Sequence, residues 1–112
     1  MTTRQTGDRG EDAATQYLER EGYRVLERNW KTRWCEIDIV AEKNSVVHFV
    51  EVKYRASSRQ GDGLEYITDK KLQQMAFAAE LWVANHHYQG DYALDAIAVT
   101  GADFIVTDLI EL

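Results

Sequence analysis

Two strand-like runs either side of a short polar break constrain this chain more than any other feature. Cys35 to Ala41 alternates as a strand does, Val46 to Tyr54 is rich in β-branched and aromatic residues, and Lys43-Asn44-Ser45 between them has tight-turn chemistry. The pattern predicts an antiparallel hairpin. Side chains alternate across a strand, so Glu36, Asp38 and Val40 share one face of the first run, and Ile37 and Ile39 the other. In the second run Phe49, Glu51, Lys53 and Arg55 share one face, and His48, Val50, Val52 and Tyr54 the other. The strongly apolar second faces make the hairpin a core element. Pairing of the polar faces brings Asp38 towards Glu51, with Lys53 on the same surface.

The flanking segments complete an α/β domain. Ala13, Ala14, Tyr17 and Leu18 follow helical spacing and Gly22 suits a position just past a helix end, predicting a first helix over about Arg9 to Glu21. Tyr23 to Asn29 reads as a strand before the hairpin, and Ser57 to Gly63 as a flexible loop after it. Leu72, Met75, Ala76, Ala79, Trp82 and Val83 mark a second helix over about Asp69 to His86 with Thr68 as its N-cap. Tyr92 to Val99 and Phe104 to Leu109 are further strands. The order α-β-β-β-α-β-β implies a mixed sheet flanked by helices. The 112 residues suit one domain spanning residues 1–112.

A lone cysteine, Cys35, excludes an internal disulfide and fits a reducing compartment. The N-terminal residues hold no apolar signal segment, and no apolar run approaches the ~20 residues of a membrane span. The expectation is a cytoplasmic protein with no membrane partner. The net charge of -6 argues at first against nucleic acid, but its distribution is uneven. All 13 Lys and Arg lie between Arg4 and Lys71, beside 13 acids, leaving the first 71 residues neutral. Glu80, Asp91, Asp95, Asp103, Asp108 and Glu111 follow with no base among them. This is either a solvated acidic face or a means of meeting a basic partner.

Carboxylates are poor strand formers, and gathering two on one face raises their repulsion. A hard divalent cation, Mg²⁺ or Mn²⁺, offsets that repulsion. Such an ion polarises a phosphate oxygen and acidifies bound water, while Lys53 can orient that water or neutralise developing charge. These parts suffice for phosphodiester hydrolysis. Taken alone, Glu51-Val52-Lys53 reads more readily as a solvated cross-strand charge pair than as catalytic.

Gly10-Glu11-Asp12, Tyr17-Leu18, Gly22-Tyr23, Arg28-Asn29-Trp30, Glu36-Ile37-Asp38, Phe49-Val50-Glu51-Val52-Lys53-Tyr54-Arg55 and Lys71 follow in that order. This series, from about Gly7 to Val99, resembles the YraN family of small bacterial proteins, assigned to the PD-(D/E)XK, or restriction-endonuclease-like, nuclease superfamily. The resemblance implies an α-β-β-β-α-β core with Asp38, Glu51 and Lys53 as its catalytic positions. It also implies a metal held by Asp38, Glu51 and the Val52 carbonyl. Glu11 resembles the first-helix acid that assists metal binding in archaeal Holliday-junction resolvases. The sequence departs from the family pattern at Cys35, where a glycine usually stands, and at Ala93-Leu94, where Arg-Phe is usual.

Several supporting residues carry two readings. Glu11 is a metal auxiliary or, in Asp8-Arg9-Gly10-Glu11, the acid of a capping box. Glu36 is an auxiliary acid or a charge partner for an arginine. Lys70 and Lys71 occupy the first turn of the second helix, where cations are disfavoured unless an anion docks. They are phosphate contacts or are neutralised by Asp69 and Glu65. Arg55 and Arg59 flank the loop as candidate backbone clamps. Trp82 reads as core, whereas Trp30 and Trp34 are open to base stacking. His86-His87 ends a helix and lacks a third ligand for zinc.

The leading expectation is a Mg²⁺- or Mn²⁺-dependent nuclease acting on DNA. The resolvase likeness adds a branched substrate and a homodimer to it. The alternatives are a non-catalytic nucleic-acid-binding module and an interaction protein using its acidic C-terminal third.

Overall fold

The computed structural model describes residues 2–56 and 67–112. Arg59, Glu65 and the expected loop over 57–63 lie outside them. The elements run α1 (Thr3–Arg20), β1 (Arg24–Lys31), β2 (Glu36–Lys43), β3 (Val46–Arg55), α2 (Asp69–Asn85), β4 (Asp91–Thr100) and β5 (Ile105–Glu111). The expected order is present. The strands form one mixed sheet in the order β1-β2-β3-β4-β5, with β3 and β4 parallel and the other neighbours antiparallel. The arrangement is compatible with a restriction-endonuclease-like core. No helix among the described residues is long and apolar enough to cross a membrane.

Helix α1 begins six residues before its expected start at Arg9. Thr2 caps it, accepting from the Gln5 amide at 3.1 Å, while Gln5 Oε1 accepts from the Thr2 amide at 2.9 Å. The Asp8–Glu11 capping box is thereby corrected, because both residues lie inside the helix. The first turns carry no apolar stripe and so leave no periodic signal, although Thr2-Thr3-Arg4-Gln5 fits the capping-box spacing. At the other end the Gly22 and Tyr23 amides donate to the Glu19 and Leu18 carbonyls, with Gly22 at φ +91°. This Schellman closure needs a left-handed residue, which glycine supplies without strain. Thr68 caps α2 as expected.

The two helices cover opposite faces of the sheet. Ala14 and Leu18 of α1 pack with Ile39, Ala41, Val50, Ile97 and Val99. Ala78, Ala79 and Trp82 of α2 pack with Ile37, Val40, Val47 and Phe49. The alternation inferred from sequence therefore holds along β3 and in β2 from Ile39 onward, but Ile37 shares the α2 side with Val40 rather than the α1 side with Ile39. The pairing explains this. The β2–β3 ladder runs from Lys43↔Val46 only to Ile39↔Val50, so β2 is free of β3 from Asp38 backwards. The hairpin turn is Asn44-Ser45, at φ +53° and +66°, the left-handed pair that a two-residue turn of matching twist requires.

Candidate metal and phosphodiester site

The site forms where β2 leaves β3. Beyond Ile39↔Val50 the inner edge of β3 has lost its partner strand, and an unpaired buried amide is costly. Asp38 fills the gap, its Oδ2 accepting from the Val52 amide at 2.8 Å. In an antiparallel pair a residue's N–H and C=O face the same neighbour. The Val52 carbonyl consequently points into the gap with its amide, beside Asp38. Glu51 lies one residue earlier, and its side chain is 13% exposed.

The electrostatics are those of an undercompensated acidic cluster. Burial first and the nearby Glu51 charge second push the Asp38 carboxyl up to about 7, with the Val52 amide opposing the rise only in part. Glu11 and Glu36 add smaller repulsive contributions. Two lysines answer Glu51: Lys71 Nζ at 3.1 Å from Oε1, and Lys53 Nζ at 3.8 Å from the same atom. Lys71, which the sequence offers as a phosphate contact or as a locally neutralised cation, pairs with Glu51 in the structure. Its position in the first turn of α2 carries the ammonium across to β3, which offsets the unfavourable helix-end charge locally.

The remaining expected site residues separate into three groups. Glu11 is buried, and its Oε1 accepts from Arg28 Nε at 2.9 Å and Asn29 Nδ2 at 2.9 Å. Arg28 also reaches Asp12 at 2.7 Å. Arg28 and Asn29 thus position the first-helix acid, a role the sequence reading did not give them. Asn29 has φ +53°, and the Val25/Glu27 register shift in β1 precedes the pair. Glu36 is exposed and pairs loosely with Lys31 at 3.9 Å. Arg55 ends β3 half-buried, with Nε and Nη1 shielded from solvent. Lys70 is exposed at the start of α2 beside the cluster.

No three or more His, Cys, Asp or Glu side chains among the described residues come together as a metal-ligand set. Asp38 and Glu51 with the Val52 carbonyl are two carboxylates and a carbonyl, a donor set that fits an ion which retains several waters. Mg²⁺ binds in this way and Zn²⁺ does not.

Other polar groups are committed elsewhere. His48 Nδ1 pairs with the buried Asp95, whose pKa is raised by burial against the opposing effect of His48. His86 stacks on Trp82 at 4.0 Å and pairs with Glu27 at 2.7 Å. Trp82 is core, as expected, and Trp34 is exposed.

The model of the uncharacterised protein family UPF0102 matches residues 10–99. The UPF0102 protein of Cytophaga hutchinsonii is 37% identical over 102 residues, covering 91% of this chain and 90% of the relative. That of Sulfurihydrogenibium sp. is 40% identical over 102 residues, covering 90% and 89%. That of Rhodopseudomonas palustris is 41% identical over 96 residues, covering 84% and 72%. The matched span runs from the residue before Glu11, through Asp38, Glu51 and Lys53, to the end of the parallel strand pair, and the chain belongs to the UPF0102 family.

Proposed function

We propose that this chain is a Mg²⁺- or Mn²⁺-dependent nuclease that hydrolyses phosphodiester bonds in DNA. The observation that carries the reading is the opening of the sheet at Asp38. There the raised Asp38 carboxyl, Glu51 and the Val52 carbonyl edge converge with Lys53 beside them. A purely structural carboxylate would sit where its charge is compensated. Asp38 instead lies in a half-buried gap beside a second acid, an arrangement that a hard cation relieves.

Asp38, Glu51 and the Val52 carbonyl would hold the ion. When bound, such an ion supplies Lewis acidity at a phosphate oxygen. Lys53 adds a positive charge 3.8 Å from Glu51, placed to orient the attacking water or to stabilise charge on the phosphoryl oxygens. Glu11, fixed by Arg28 and Asn29, adds negative potential behind Asp38.

The test is incubation of purified protein with a labelled four-way junction and a matched linear duplex in Mn²⁺, Mg²⁺ or EDTA, beside Asp38→Ala and Lys53→Ala. Metal-dependent cleavage lost in both variants is the expected result. The absence of cleavage from every lane would overturn the reading of the isolated chain as a nuclease.

The 3.1 Å Lys71–Glu51 pair favours a second reading, a nucleic-acid-binding module without catalysis, since an ammonium already neutralises one of the carboxylates. That reading predicts salt-sensitive DNA binding that survives Asp38→Ala.

A further inference from the structure

A groove of about 510 Å³ lies between the Trp34–Glu36 segment and the first turns of α2. Glu36 and Lys71 belong to its wall, and the Lys71 ammonium lies 3.1 Å from Glu51, so the groove adjoins the candidate site. Two large aromatic side chains that ordinary packing would bury stand exposed in it: Trp34 at 70% and Phe77 at 48%. Trp34 is held on a built turn rather than a loose one. Thr32 Oγ1 accepts from the Trp34 and Cys35 amides at 3.1 and 3.2 Å, and Arg33 lies over the indole at 5.3 Å from its centroid. Cys35 adds its side chain to the wall. Lys70 contributes a positive charge, and Gln73 and Gln74 contribute amides that both donate and accept.

Aromatic platforms with cations and amides beside a phosphodiester site are the chemistry that receives unstacked nucleobases. A base inside a duplex has both faces covered by its neighbours, and only an unpaired base can lie on Trp34. We propose that the groove is a subsite for an unpaired strand. A nucleobase stacks on Trp34, and the backbone continues past Lys70 to the carboxylate cluster. The proposal rests on the reading of that cluster as a phosphodiester site. It makes the preferred substrate one with a single-stranded segment next to the bond that is cut. Fully paired DNA presents phosphates to the lysines but nothing to the indole.

The test separates binding from cleavage. In EDTA, the full chain is titrated with a labelled oligothymidine and with a blunt duplex of equal length, followed by anisotropy and by tryptophan emission. The wild type is expected to prefer the single strand and to lose tryptophan emission as it binds. Trp34→Ala should weaken single-strand binding about ten-fold or more, as loss of one stacked base implies. It should also abolish the quenching, whereas Trp34→Phe retains most of the affinity. Trp34 makes no buried contact whose loss would unfold the protein, and unchanged thermal melting of both variants confirms this. Equal single-strand affinity of wild type and Trp34→Ala, a wild-type preference for duplex, or no binding at all overturns the proposal. Single-strand binding through Trp34 without Mn²⁺-dependent cleavage would leave the subsite standing and remove the nuclease reading. Asp38-dependent cleavage indifferent to Trp34 would do the reverse.

Discussion

Asp38 shows how one residue can be costly to the fold and useful to the site. Its carboxyl titrates near 7 in the folded chain against 3.8 in the absence of its surroundings, so the folded state binds the proton more tightly than the unfolded state. The sign of the consequence is fixed by linkage. The group's stabilising contribution is complete below about pH 4 and is lost as pH rises through about 7. In metal-free protein, Asp38→Asn keeps an acceptor for the Val52 amide and removes the charge. We expect it to melt at a higher temperature than the wild type at pH 8 and at nearly the same temperature at pH 4. The wild type should gain melting temperature on adding Mn²⁺, increasingly from pH 6 to pH 8 as Asp38 deprotonates, and Asp38→Asn should not. Glu11 separates differently. Glu11→Ala leaves Arg28 Nε and Asn29 Nδ2 without their acceptor and should cost about 2 kcal/mol in urea unfolding, whereas Glu11→Gln should cost under about 1 kcal/mol. Mn²⁺ affinity that falls in Glu11→Gln, despite intact stability, would give Glu11 a direct electrostatic part in metal binding.

At the scale of elements, β2 and β3 carry the candidate site, and the His48–Asp95 pair ties β3 to its parallel neighbour β4 on the N-terminal side of Glu51. Asp95 is buried, with its second oxygen lacking a partner among the described residues, so it depends on His48. Truncation to Ala leaves an unpaired buried acid, and His48→Ala should lower unfolding free energy by about 3 kcal/mol, measured by urea titration at pH 7. Asp95 is therefore not part of an exposed acidic surface, although it falls within the acid-only C-terminal third. The opposite end of β3 is less constrained, because β2 has departed from it. That departure leaves an opening beside Glu51, at the cost of a ladder that Asp38 replaces with a single side-chain hydrogen bond.

On the whole molecule, charge is divided by function more than by fold. The chain carries -6, yet Arg33, Lys53, Lys70 and Lys71 cluster around the carboxylates and the groove. Four cations are few for a nucleic-acid protein, and two of them, Lys53 and Lys71, already face Glu51. We expect single-strand affinity to fall with salt at a log–log slope of about -3 or shallower, measured by anisotropy from 50 to 200 mM NaCl. Tight binding to plain duplex at physiological salt would contradict this distribution. An aromatic contribution, which salt does not screen, accounts for a shallow slope better than phosphate contacts alone.

The sequence by itself determined the order of elements, the Asn44-Ser45 turn, the Gly22 helix stop, the Thr68 cap and the two-sided character of β3. All of these are encoded by neighbours a few residues apart, through periodicity and local hydrogen bonding. Motif spacing also placed Asp38, Glu51 and Lys53 near one another. Tertiary structure decided the rest. Ile37 changes side because the β2–β3 ladder stops at Ile39↔Val50, and no alternation rule reports where a ladder ends. Lys71 meets Glu51, and Arg28 and Asn29 hold Glu11, through approaches between elements 17 to 20 residues apart in the chain. Trp82 was legible as core from its helical spacing, but Trp30 and Trp34 read alike and became one half-buried and one exposed side chain. Burial depends on which helix covers which face, and packing between distant elements fixes that where local preference cannot.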